Sequence, residues 1–334
     1  SSTGSAAGLK WKNFVVSENS INDSTSNAND GTKRSAAEPN AGTGKVNGAQ
    51  DFDGIVDGIG STPTLPTGDF TYEAWVKPDA MSIETVFDAN AGSTANEFSL
   101  ILDSNVDVYT NATLRMGTTT TLSAGTMYHI VARRSGSTIS VFINGVQDAT
   151  TGTDGTALSF STCSLYIGTD ASASCSNPTF SNFYDGVIDE TRISSTARSA
   201  EWIEATYLTQ NDQMNVIGEE QPYTLGGTAT AGWTDVADVW CNDASGVLCN
   251  TSWGNRKRIT IDNQSSSTDL TNFPVLVKLD STRIDYTKTQ DDGDDLRFVD
   301  PANPTVALSH EIESWNENGE SFVWVEVPTL DAKS

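Results

Sequence analysis

Histidine is almost missing from this chain: 334 residues hold two, His129 and His310. Basic residues are scarce as well, 19 Lys and Arg against 44 Asp and Glu, for a formal net charge of −25. A surface of that sign repels a phosphate backbone instead of steering it in, so nucleic acid is excluded as a partner. No apolar run reaches bilayer length, and no basic start followed by an apolar stretch marks a signal peptide. An export signal or anchor is expected outside this segment, which carries no membrane span. The helical period is almost absent. Neither histidine is accompanied by a Gly-x-Ser-x-Gly elbow, which removes the usual setting for a serine nucleophile.

Four cysteines form two close pairs, Cys163 with Cys175 and Cys241 with Cys249. Four cysteines allow three connectivities, of which local pairing is the simplest. Closing loops of this size stabilises by roughly 3 kcal/mol in the chain-entropy model. Zinc is the rival, but neither pair has CxxC spacing and both histidines lie far off in sequence. Disulfides imply an oxidising compartment, hence an extracellular or cell-surface protein.

What is present is a series of short apolar runs spaced by Thr, Ser, Asn, Asp and Gly, the pattern of an all-β protein. Residues 1–211 read as one domain. In 70–77, Phe70, Tyr72, Ala74 and Val76 share a face, and in 97–103 so do Phe98, Leu100 and Leu102. Further strands are expected at 128–133, 165–168 and 187–193. Asn144-Gly145 between alternating residues supplies the positive φ angles of a type I′ hairpin. A short helix follows Ile193, with Ser199 as N-cap and an apolar stripe expected to plug one edge of the sandwich. Residues 212–250 read as a connector. A second β unit occupies 251–334, with strands expected at 257–261, 273–279, 295–299, 310–315 and 321–328.

The run 185–193, DGVIDETRI, with its following helix, the loop 22–32 and the strand 70–78 together resemble the laminin-G-like, concanavalin-type jelly roll. That resemblance implies a jelly-roll β-sandwich, followed here by a second, smaller antiparallel β-domain, and a role in adhesion, glycan binding or display far more often than in catalysis. It also implies a structural calcium shared by Asp23 and Asp189, with Asn29 as a further ligand. The residues alone allow a plainer reading, in which Asp23 starts an Asx turn and Asp189 pairs with Arg192 or another base. Residues 253–330 resemble an uncharacterised β-domain that accompanies laminin-G-like domains in bacterial and archaeal surface proteins. In those relatives the β-domain usually precedes the jelly roll and ends in a further strand. Its lack here implies an open sheet edge, completed by a following segment or by another copy of the protein.

Other acidic groups carry less. The 291–295 cluster lacks the twelfth-position glutamate of an EF-hand and reads as a solvated turn. Asp53 and Asp57 are weak ion-ligand candidates. A retaining glycosidase needs two carboxyls about 5 Å apart, commonly as Glu-x-Asp-x-Glu on one strand, and that arrangement is absent. Glu311 and Glu313 fall on one strand face but inside the second β-domain. A sugar site combines a flat aromatic with planar amide and carboxylate groups. Tyr109, Tyr184, Trp233 and Trp240 lie in polar settings that suit it, whereas Trp75, Trp202, Trp315 and Trp324 follow apolar patterns and are expected in cores. Sequons begin at Asn22, Asn111, Asn250 and Asn263.

The expectation is therefore a non-enzymatic extracellular module, part of a surface adhesin or the repeating unit of a filament, with other copies or neighbouring modules as partners. The alternative is a pair of carbohydrate-binding modules from a secreted glycan-active protein.

Overall fold

The structure, a computed structural model, describes residues 8–10, 20–34, 39–89, 98–160, 165–172, 179–222, 255–300 and 303–333. All four cysteines, Trp233, Trp240 and the sequon at Asn250 lie outside these residues. The chain divides into two compact units, Ser1–Tyr207 and Leu208–Ser334.

Two eight-stranded antiparallel sheets build the first unit. Side by side in the first sheet run Val146–Thr153, Thr138–Ile143, Tyr128–Ser135, Phe70–Pro78, Asp185–Ser194, Gly48–Asp53 and Asn40–Thr43, with Gly8–Lys10 also paired to Asp185–Ser194. The second runs Thr113–Gly117, Asn105–Thr110, Phe98–Asp103, Glu84–Ala89, Leu165–Ile167, Ile59–Ser61, Gly31–Lys33 and Ser20–Ile21. Sequence neighbours are often not sheet neighbours, as a jelly roll requires.

Alternation puts Phe70, Tyr72, Ala74 and Val76 of one sheet against Phe98, Leu100 and Leu102 of the other, all fully buried. Tyr72 stacks on Phe98 at 4.1 Å between ring centroids, and Phe70 meets the same ring edge-on at 5.0 Å. Aromatic pairs of this kind add to area burial. Asn144 and Gly145 take φ of 53° and 80° and join Thr138–Ile143 to Val146–Thr153 as the expected type I′ hairpin.

The helix, α1, spans Ala200–Gln210, and Ser199 Oγ accepts the Trp202 N–H at 3.2 Å. It does not plug an edge. Ile203 packs on Val131 and Phe142, and Tyr207 stacks on Trp75 at 5.7 Å, so the helix covers the outer face of the first sheet. The reason is readable in alternation: Trp75, Val131 and Phe142 point away from the sandwich core and need a cover of their own. Trp202 is only half-buried, with the Arg198 guanidinium 4.1 Å from its ring.

In the second unit Leu270–Leu279, Ser321–Leu330 and His310–Ser314 form a three-stranded antiparallel sheet in that order. Phe273, Val275, Val323 and Val325 are its buried centre. Asn215–Ile217 pairs with Ile259–Ile261 and Gln221–Pro222 with Asn255–Arg256, so the described part of the stretch read as a connector contains strands. Of the strand expected at 295–299, only Val299–Asp300 forms, paired with Asn303–Ala307. The 291–295 cluster is a tight turn, as expected. Gly293 has φ of 71°, and a Cβ there would meet the Trp315 ring at 2.8 Å.

The margin of Leu270–Leu279 that faces away from its partner is covered. Pro274 has no N–H to offer. The Leu276 N–H donates to Thr209 Oγ1 and its carbonyl accepts from Asn215 Nδ2, both at 2.8 Å, while Arg283 Nη1 donates to the Lys278 carbonyl at 2.9 Å. His310–Ser314 occupies the other edge of the sheet.

Candidate ligand-binding face

The outer face of the second sheet carries a row of residues in direct cross-strand register: Leu114, Tyr109, Ser99, Asp88, Tyr166, Gly60 and Thr32. Within Asn105–Thr110 alternation sends Val106, Val108 and Thr110 to the core and leaves Asn105, Asp107 and Tyr109 half-exposed on that face. Leu114 beside Tyr109 is 48% exposed. Across from Asp107 lies Gly117, where a Cβ would stand 2.6 Å from Asp107 Oδ1 and 3.1 Å from Asn105 Nδ2. The missing side chain keeps the amide and the carboxylate on the surface. Burial, and then the neighbouring Asp103, raise the Asp107 carboxyl above the usual range, and burial followed by Asp107 raises the Tyr109 phenol.

Asp88 closes this face on one side. The hairpin of Asp170–Ser172 and Thr179–Ser181 folds over it, so that Asp88 Oδ2 accepts the Ala171 N–H at 3.1 Å while Oδ1 accepts Ser99 Oγ–H at 2.7 Å. Tyr166 and Phe180 meet edge-on at 5.2 Å against the same hairpin. The result is a floor of Tyr109, Ser99 and Asp107 beside a wall, with a flat ring, a planar amide and a carboxylate on one side of one strand. Asn105 and Asp107 were within reach of sequence reasoning, since they sit four and two residues before Tyr109.

Tyr184 is not part of any surface. Its side chain is fully buried, edge-on to Phe52 at 6.0 Å, with the hydroxyl donating to the Val187 carbonyl at 3.4 Å. Its polar neighbours in sequence precede the strand Asp185–Ser194, in which Gly186, at φ 129°, lets the backbone press against the Lys77 carbonyl.

The early acidic loop is held by its own amides. Asp23 Oδ1 accepts the Thr25 N–H, and Oδ2 accepts the Thr25 hydroxyl and the Asn29 N–H, each at 2.9 Å. Asp189 Oδ2 accepts the Lys45 and Val46 N–H groups at 2.6 and 3.1 Å, and Oδ1 accepts that of Glu190 at 2.8 Å. A calcium ion at Asp23 and Asp189 would share carboxylate oxygens that already accept loop N–H groups, and Asn29 donates its own N–H to Asp23. Among the described residues no three Asp, Glu, His or Cys side chains are placed to hold a metal together. Asp53 is likewise a loop cap, accepting the Ile55 and Val56 N–H groups, and Asp57 Oδ2 accepts the Asp53 N–H.

Arg192 pairs with Glu73, Nη1 to Oε1 at 3.3 Å, and with Glu190 through Nη2. His129 lies 3.8 Å from Glu73 and 5.2 Å from the Trp75 ring, and burial followed by Arg192 holds its pKa down to about 3, so it is a structural residue. Asp189, beside Glu190, is pushed up to about 8, chiefly by burial. In the second unit a bulge between Ile312 and Ser314 separates Glu311 and Glu313: the first is exposed, the second buried. A cavity of about 20 Å³ beside Phe52, Ile188 and Glu190 has room for a water rather than a substrate.

Two face-to-face sheets, long-range strand order and a broad open outer surface are now in view. Residues 57–204 match the family model described as the concanavalin A-like lectin/glucanases superfamily. This segment is a concanavalin A-like domain. No curated protein matches the chain. Among solved structures, the chain is similar to domain 4 of AbnA, an extracellular arabinanase from Geobacillus stearothermophilus, in complex with arabinotriose, at 21% identity, 49% of this chain, 78% of that chain and a TM-score of 0.40. The binding domain of Paraclostridial Mosquitocidal Protein 1 gives 13% identity over 65% of this chain and 56% of its own, with a TM-score of 0.48. The heptameric SAP-like pentraxin of Limulus polyphemus gives 17%, 48%, 81% and 0.40. The likeness is one of fold. The chain spans little more than half the length of the mosquitocidal binding domain.

Proposed function

We propose that this chain is a non-enzymatic module of an extracellular adhesion protein, and that its concanavalin A-like domain holds glycans on the outer face of the second sheet. The observation that carries this reading is Tyr109: a half-exposed ring on a flat sheet, flanked by Leu114, Asp107, Asn105 and Ser99. An aromatic face takes the C–H side of a sugar while the amide and carboxylate bind its hydroxyls. The open face gives binding without enclosure, and the sequence has no Glu-x-Asp-x-Glu run, the usual strand display of a glycosidase's paired acids. Glycan-array screening followed by calorimetry tests it. Tyr109→Ala is expected to weaken binding at least about tenfold, the cost of losing an aromatic anchor. Tyr184→Phe is expected to leave affinity unchanged, because that hydroxyl is buried. Hydrolysis of a polysaccharide by the purified chain, or binding indifferent to Tyr109, would overturn the proposal.

A second reading concerns assembly. With the Leu270–Leu279 margin covered, His310–Ser314 is the edge at which a further strand can add, from a following segment or another copy. A Pro substitution at Ile312, read by light scattering and electron microscopy, tests whether that edge joins chains.

A further inference from the structure

Arg34 follows the strand Gly31–Lys33, and its N–H donates to the Gly58 carbonyl at 2.9 Å. Its side chain lies flat across Phe180, the guanidinium carbon 3.3 Å from the ring centroid, with the Phe183 ring 5.5 Å away. Phe180 in turn leans on Tyr166. Two glycines clear the ground for this stack. A Cβ on Gly58 would meet Arg34 Cδ at 2.9 Å, and one on Gly60 would meet Tyr166 Cε1 at 3.1 Å. Nη1 is anchored to the Val56 carbonyl at 2.9 Å.

Arg34 is exposed and, among the described residues, makes no ion pair, whereas Arg115, Arg192 and Arg283 each bind a carboxylate of their own unit. A guanidinium stacked on a ring and tethered by one nitrogen is pre-organised, and its remaining N–H groups match a carboxylate. The surrounding charge narrows the choice. Asp57 is near enough to act electrostatically on Arg34, and Asp170 accepts from Asn182 on the hairpin. In a chain of net charge −25, a polyphosphate meets stronger long-range repulsion than a ring that carries one carboxylate.

We infer that Arg34, stacked on Phe180 beside Tyr166, is a binding site for a carboxylated sugar. Arg34 takes the carboxylate, and the exposed parts of Tyr166 and Phe180 take the ring. The inference rests on the glycan-binding reading of this domain and names the class of sugar.

The test titrates two acid and neutral pairs into the full chain: monomeric galacturonate against its methyl ester, and sialyllactose against lactose. At least one acid is expected to bind about tenfold more tightly than its neutral counterpart, the scale of a charge-assisted contact at a partly screened site. Arg34→Gln is expected to abolish the preference while leaving thermal unfolding and neutral-glycan affinity unchanged. Equal affinity within both pairs, or a preference that survives Arg34→Gln, overturns the inference. Binding of neutral glycans without acid preference would sink this site alone; binding of no glycan would sink the glycan reading with it.

Discussion

Arg192 in the first unit and Arg283 in the second do the same job in different places. Arg192 has a side chain 16% exposed and its partners Glu73 and Glu190 are at 9% and 3%; Arg283 is at 29% and Asp212 at 23%. The sandwich has a helix over its outer face and so contains a layer where charges are cut off from water. The three-stranded sheet leaves its pair at a wet margin. Coulomb attraction is strong in the first place, but so is the penalty for orphaning a partner, and both are weak in the second. The same residue types therefore report very different energies in the two bodies.

That difference gives the largest expected effect. Arg192→Met leaves Glu73 and Glu190 buried without their cation and should destabilise the first unit by about 3–5 kcal/mol, read by urea unfolding followed through Trp75. Tyr72→Ala, which empties the stack on Phe98, belongs to the same range, about 3–5 kcal/mol. An equal loss from Arg283→Ala would erase the contrast. There the expectation is below about 1 kcal/mol, because the pair is solvated.

Protonation sharpens the comparison further. Asp189, at about 8, and Glu84, at about 7, are both raised chiefly by burial, so the folded chain keeps protons that the unfolded chain has released. Their contribution is complete below the ordinary carboxylate range and is lost as the pH climbs through 7 and 8. His129, held at about 3, has the opposite sign: its contribution grows with pH and is complete above about 6.5. Between about pH 6.5 and 8 only the acids act, and the first unit should lose stability as pH rises. Calorimetric scans across that window check this, and Asp189→Asn should flatten the slope. The smallest effect concerns cations. With Asp23 and Asp189 satisfied by N–H donors, EDTA is expected to leave the melting temperature of the first unit unchanged; a fall of several degrees would mean that these amides give way to calcium.

Local rules carried much of this fold. Alternation in 70–77 and 98–102 located the core faces, and Asn144-Gly145 located a hairpin, because period and turn geometry are properties of a few adjacent residues. Ser199 announced its helix for the same reason. What a window of ten residues lacks is the identity of the cover. Trp75, Val131 and Phe142 alternate outward as plainly as Tyr72 alternates inward, yet only the returning chain reveals that α1 lies on them. Tyr184 sits among polar residues and still faces the core, edge-on to Phe52, a partner 132 positions away that no local window contains. Tyr109 stayed outside as its polar setting implied, while the hairpin over Asp88 was invisible because Ala171 and Asp88 are 83 positions apart. Arg34 and Phe180 are farther still, and neither residue alone draws notice.

The sealed margin of Leu270–Leu279 has a directional consequence. Proline and three side chains close one flank of that sheet, so any extension by added strands proceeds from the opposite flank alone. A polymer grown by such additions would carry polarity, each subunit offering a receiving side and a side that refuses, and two subunits meeting flank to flank through their sealed margins would not adhere.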